Sequence, residues 1–193
     1  MRRLAIALVH HPVLDGKGAT VTTAVTNLDV HDLARSARSY GVADYFIAHP
    51  IAAQRELVTR IRDHWMDGSS GRRIPDRREA LTVLRVVHSL EAAIDALGGR
   101  SRVEVWVTAA RRLAPSVLTF QQARARLECD VEGGGEEDKT LLVVFGTGWG
   151  LAPEVIESAD ALLEPIRSQS EAYNHLSVRS ACAIALDRLL GAR

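Results

Sequence analysis

Two rhythms of apolar and polar residues alternate along the chain. Leu4 to Val9 is an unbroken apolar run of strand length and predicts a buried first strand. Leu14 to Thr23, "LDGKGATVTT", is polar and glycine-containing and reads as a loop. From Thr26 to Gly41 the period becomes helical: Leu28, Leu33, Ala34 and Ala37 recur at helical spacing, Asn27 or Asp29 can cap, and Gly41 stops the helix. Val42 to Pro50 predicts a second strand. Ile51 to Trp65 predicts an amphipathic helix, with Leu57, Ile61 and Trp65 at i, i+4 and i+8. Met66 to Arg78 reads as a glycine- and arginine-rich loop. Arg78 to Val87 and Ser89 to Gly99 read as helices. A third strand is predicted over Val103 to Arg111, a helix over Pro115 to Glu128, and a hairpin or linker tip over Asp130 to Thr140. Leu141 to Phe145 is the fourth strand, Pro153 to Ser158 a short helix, Ala159 to Ile166 the fifth strand and Ser177 to Leu190 the last helix. Strands alternating with helices predict an α/β fold with a mainly parallel sheet, in a single domain spanning residues 1–193.

Composition narrows the function classes. A chain of 193 residues, 47% hydrophobic and 25% charged, can bury a full core. No apolar stretch approaches the ~20 residues that cross a bilayer, so no membrane partner is expected. Met1-Arg2-Arg3 followed by an apolar run resembles a signal peptide only briefly. His10, His11 and Pro12 break it, no small-residue cleavage site follows, and the expected location is cytoplasmic. Cys129 and Cys182 lie far apart without CxxC spacing, and His10 and His11 lack third and fourth ligands at suitable spacing. Free thiols and no metal are expected.

Twenty-four basic residues balance 24 acidic ones, so no global basic field attracts nucleic acid. Only Lys17 and Lys139 are lysines, and the other 22 cations are arginines. Arginine suits phosphate, because its planar fork bonds two oxygens, but a GC-rich genome produces the same bias.

The chemistry concentrates in "FGTGWGL", Phe145 to Leu151, where a strand runs into a glycine turn before a helix. A phosphate-binding loop would need Lys-Ser/Thr after its last glycine, and Leu151-Ala152 stands there. A dinucleotide fingerprint needs GxGxxG near the first strand and an acid about 20 residues on. Gly146, Gly148 and Gly150 are spaced two by two late in the chain, and Glu164 follows too closely. A nucleophile elbow needs Ser or Cys between its glycines, where Thr147 and Trp149 stand. The segment reads instead as the first of three turns, followed by Glu164-Pro165-Ile166 and by "YNHLSVRSA", Tyr173 to Ala181. Turns at strand ends and helix starts carry unpaired backbone groups that can hold a flat, largely uncharged ligand such as adenosine.

The succession FGTGWGL, LEPI, NHLSVRSACAIAL resembles the three cofactor loops of the SPOUT RNA methyltransferases. "DVHDLARSARSYG" resembles the first motif of their 2′-O-methylating branch, with Arg35 and Gly41 in register. More closely, the chain from about His10 to Leu190 is similar to a small bacterial SPOUT group, through HxPV, TAVTNLDxHDxAR, HW-x-x-G, FGTGWGL and YNHLSVRSA. Relatives of that group are sometimes fused to a tRNA guanine-N1 methyltransferase.

The resemblance implies a C-terminal deep trefoil knot, S-adenosylmethionine as cofactor, a tRNA or rRNA substrate and a homodimer. The cofactor would meet Phe145, Gly146, Gly148, Glu164, Pro165, Ile166 and Leu176, with Thr108 and Ala109 at another edge and Asn174, His175 and Ser177 shaping the last loop. Arg35 falls on the arginine that contacts RNA and assists deprotonation of the ribose hydroxyl, and Asp29 on the motif's asparagine. Gly148 stands where that branch has glutamate, so base methylation stays open beside 2′-O methylation, with Arg35, Asp29, Asp32 or His31 as proton acceptor. Two other readings stay open: a knotted module that binds cofactor or RNA without catalysis, and an unrelated nucleotide-binding α/β protein.

Overall fold

The computed structural model describes residues 1–113, 116–128, 139–167, 169 and 173–192. In chain order β1 (Leu4–Val9) is followed by β2 (Val13–Leu14), β3 (Thr20–Val21), α1 (Asn27–Ser39), β4 (Asp44–Ala48), α2 (Ala52–Asp67), α3 (Ser69–Arg73) and α4 (Pro75–Leu81). Then come β5 (Leu84–Val87), α5 (Leu90–Ala96), β6 (Val103–Val107), α6 (Phe120–Glu128), β7 (Thr140–Gly146), α7 (Pro153–Glu157), β8 (Ala161–Leu162) and α8 (Val178–Leu190). Six strands form a wholly parallel sheet in the order β5-β4-β1-β7-β6-β8, and β2 and β3 pair as an antiparallel hairpin beside it.

The middle strands read as continuous apolar runs because helices cover both of their faces. Alternate residues of β1 feed different cores. Leu4, Ile6 and Leu8 join Val30 and Leu33 of α1, Val58 of α2, Leu127 of α6 and Leu186 of α8. Ala5, Ala7 and Val9 join Ala93 of α5, Val155 of α7, Val13 of the hairpin and Leu151. The small alanines on that side let α5 close onto β1 and β4.

Several sequence expectations shift. Leu14 to Thr23 contains the β2–β3 hairpin rather than a plain loop. Residues 66–78 carry α3 and α4, with Pro75 as the first residue of α4, where its missing N–H is an orphan donor in any case. The helix expected over Arg78 to Val87 ends at Leu81. Its remainder is β5, where Val86 and Val87 pair with Ile47 and Ala48; β-branched residues suit the pleat. The sheet therefore has six strands, not five.

On α2 the fully buried residue is Val58, while Leu57 faces outward. The helix expected from Pro115 begins at Phe120, and β6 and β8 are shorter than expected, while β7 runs one residue further at each end. Cys129 and most of Asp130 to Thr140 lie outside the described residues. On α8, Ala185 and Leu189 are buried in the chain's own core, whereas Ala181 and Ile184 are half-exposed.

Candidate active site

Parallel strands present their carboxyl ends on one side, and the turns after β6, β7 and β8 gather there, as ligand-binding loops of open α/β sheets do. After β7, Gly148 has φ +59° and Gly150 φ +110°, a backbone region that side chains resist. A Cβ on Gly148 would stand 2.8 Å from the carbonyl oxygen of Leu14, and one on Gly146 2.9 Å from the Leu151 amide nitrogen. The reason for Gly148 is the hairpin. The Trp149 amide donates to Leu14 O, Leu14 N–H to Gly150 O, and the Ala152 amide to Pro12 O. The glycine turn thus spends much of its backbone on the segment after β1.

The other two turns join through one side chain. The Asn174 amide donates to Ala110 O at 2.9 Å and Ile166 O at 3.0 Å, tying the segment after β6, the turn after β8 and the approach to α8. Thr108 extends β6 by donating its amide and hydroxyl to Val144 O, and Ala109 packs on the adjoining core. Glu164 turns inward: its carboxylate accepts from the Phe120 amide at 2.7 Å and so caps α6. Pro165 is buried beside it and Phe145 lies in the core. Ser177 caps α8 by accepting from the Ser180 amide. Among the described residues, the amides of Ile166 and Leu176 have no hydrogen-bond partner. Leu176 is 42% exposed and Trp149 69%, with the Trp149 ring 6.2 Å from that of His175. Apolar surface, uncharged backbone donors and no lysine make a donor set that fits the adenosine portion of S-adenosylmethionine and is ill suited to a triphosphate.

Asp29 sits next to this cluster, 5% exposed. Thr26, rather than Asn27 or Asp29, caps α1: its Oγ1 accepts from the Asp29 amide and donates to Asp29 Oδ2 at 2.6 Å. The reciprocal pair resembles a capping box, except that the Asp29 carboxylate takes the Thr26 hydroxyl rather than its backbone N–H. The other oxygen of Asp29 is 3.3 Å from Arg179 Nη1, and Arg179 Nε is 3.4 Å from Asp32. Asp32 is the more accessible of the two carboxylates, and Arg35 is exposed one helical turn further on. Arg179, in the "VRSA" stretch that opens α8, was not singled out by spacing. Its value lies in bridging two helices, which sequence separation conceals.

A second group missed by pattern reading is buried at the end of β1. His10 Nδ1 is 3.0 Å from Thr23 Oγ1, which bonds Thr147, whose hydroxyl donates to Val9 O. A consistent proton order runs from His10 Nδ1–H through both hydroxyls to that carbonyl, leaving Nε2 unprotonated and buried without a partner. Burial first, then the neighbouring His49 ring, pull the His10 pKa down to about 4. His49 is fully paired, donating from Nε2 to Thr23 O and accepting at Nδ1 from the Ile51 amide. These residues fix the hairpin against the glycine turn.

Comparisons with known proteins add to this geometry. Residues 3–191 match the model of a family described as SAM-dependent RNA methyltransferase. The chain is 40% identical over 190 residues to a tRNA (guanine-N(1)-)-methyltransferase of Nitratidesulfovibrio vulgaris, covering 98% of this chain and 42% of that protein. It thus spans well under half the length of the first curated relatives it matches. Among solved structures it resembles a probable methyltransferase from Bordetella pertussis Tohama I, with TM-score 0.65 and 17% identity over 97% of this chain and 94% of that one. It also resembles a TrmH/SpoU tRNA modifying enzyme of A. aeolicus, with TM-score 0.58 and 12% identity over 98% and 75%. At such identities the likeness to solved structures concerns the fold, a SPOUT-type α/β arrangement.

Proposed function

Because the chain belongs to the family of SAM-dependent RNA methyltransferases, we propose that it methylates a structured RNA, tRNA or rRNA, at the carboxyl ends of β6, β7 and β8. The observation that carries this reading is the pair of hydrogen bonds that Asn174 Nδ2 donates to Ala110 O and Ile166 O, which joins turns distant in sequence into one backbone-lined site. Phe145, Gly146, Gly148, Thr108, Ala109, Pro165, Ile166, His175 and Leu176 would line the cofactor, while Asn174, Ser177 and Glu164 brace those turns. S-adenosylmethionine supplies an activated methyl group when bound. The chain's own work is then to place the acceptor in line and receive its proton.

Arg35, exposed on α1, is proposed to meet the RNA. Asp29, with both oxygens engaged, acts by holding Arg179 against α1, and Asp32 is the freer carboxylate for a proton. The C-terminal third is proposed to form a trefoil knot. Its support is the placement of β7 between β1 and β6, with β8 beyond β6 and α8 packed back on α1 and α6. A single domain, a cytoplasmic location and a homodimer complete the proposal. The half-exposed Ala181 and Ile184 are the apolar positions of α8 left for a second copy.

The test is calorimetry with S-adenosylmethionine, then transfer of labelled methyl to tRNA and rRNA from a strain lacking the gene. Micromolar binding with labelling of one RNA species is expected. Cofactor binding without label on either RNA would sink the enzyme reading, and light scattering reads the dimer.

A further inference from the structure

Beside the cofactor turns, a pocket of about 460 Å³ opens between α1, α2 and α4. That volume lies within the ~300–1,000 Å³ range of small-ligand sites. Its walls combine cations and aromatic surface: Arg60 and His64 from α2, Arg77 from α4, His31 and exposed Leu28 from α1, and Trp65. Arg77 stacks over the Trp65 ring at 4.7 Å, and His31 meets the same ring edge-on at 5.5 Å.

Neither Arg60 nor Arg77 makes an ion pair with a described residue, and Asp32, the carboxylate in the wall, pairs through one oxygen with Arg179 rather than with either of them. Nδ1 of His31 is buried without a partner. Unneutralised arginines around an aromatic floor would repel one another less with an anion between them. Burial, then Arg77, hold the His31 imidazole below its usual range, and Arg35 adds to this while Asp32 opposes it. His31 is therefore neutral there and able to accept or donate a hydrogen bond.

Resting on the RNA-methylating reading, we propose that this pocket takes a phosphate-bearing nucleotide of the RNA substrate, flanking the one that is methylated. Arg60 and Arg77 grip the phosphate. Leu28 and the exposed part of the Trp65–Arg77 stack pack against the sugar or base, in the manner of sequence-tolerant single-strand platforms. Arg179 makes the pocket continuous with the cofactor turns, since it stands on the first turn of α8 and contacts both Asp29 and Asp32. The pocket then accounts for RNA capture by a chain with no net charge.

The test is fluorescence anisotropy with unfractionated bacterial tRNA across a salt series, alongside calorimetry with S-adenosylmethionine. Arg60→Ala, at an exposed position, is expected to weaken tRNA binding about threefold and lower the salt slope by about one. Arg60→Ala/Arg77→Ala is expected to weaken it at least tenfold, and Arg77→Lys to keep the slope while losing part of the affinity. Cofactor affinity should be unchanged throughout, which also verifies the fold. Wild-type-like tRNA affinity and slope in the double variant would overturn the pocket alone. A wild-type chain that neither binds nor methylates tRNA or rRNA would overturn the function and the pocket together.

Discussion

Protonating His10 would place a second N–H in the interior with nothing to accept it, which is why its imidazole is held near pH 4. The folded value lies below the ordinary value of about 6.5, so between those limits the unfolded chain binds the extra proton and stability rises with pH. Stability is therefore expected to fall by on the order of 3 kcal/mol from pH 6.5 to pH 4. Urea melts of wild type and His10→Gln across that window check it: the variant should show the shallower slope. Gly148 makes a second prediction at this scale. Alanine there combines a left-handed φ with a clash against Leu14 O, and should cost roughly 1–3 kcal/mol and loosen the glycine turn. Thermal melts and cofactor calorimetry of Gly148→Ala read both effects. The three-turn pattern in the sequence pointed to this glycine. The hairpin that excludes its side chain was hidden, because the contact runs between residues 14 and 148.

Among elements, the turns depend on side chains that reach across the fold. Asn174→Ala removes two hydrogen bonds and frees two carbonyls. A loss of about 1–3 kcal/mol is expected, with cofactor affinity falling about tenfold while tRNA affinity stays near wild type. Equal losses of cofactor and tRNA affinity would mean general unfolding instead. Most elements were legible where periodicity and stop signals agreed, as in β1, α1, α2 and α8. The segment from Thr82 to Val87 misled, since an apolar run of that length fits either a helix end or a short buried strand. Parallel pairing with β4 decides it, and no local pattern encodes that partner. On α2, Ile61 and Trp65 pack on the core as expected, and only Leu57 gives way to Val58, because helix rotation is set by what α1 and α4 present.

At the scale of the molecule, the α/β class followed from alternating elements, whereas the strand order did not. Nothing in the run Leu141 to Phe145 says that it enters between β1 and β6 rather than at an edge. That insertion also bears on synthesis. β1 bonds β4 early, but its other edge pairs only with β7, 137 residues later. At roughly 5–20 residues per second, a ribosome takes on the order of 10–30 s to deliver that partner. For that interval a half-built sheet shows an apolar, hydrogen-bond-hungry border, the kind of surface that holding chaperones cover. Nascent chains stalled after α5 should be cut readily by protease within β1, and chains stalled after α8 has emerged should resist. Equal resistance in both would mean that β1 is protected without β7. The strand that carries the glycine turn is thus also the one whose arrival sets how long the newborn protein depends on others.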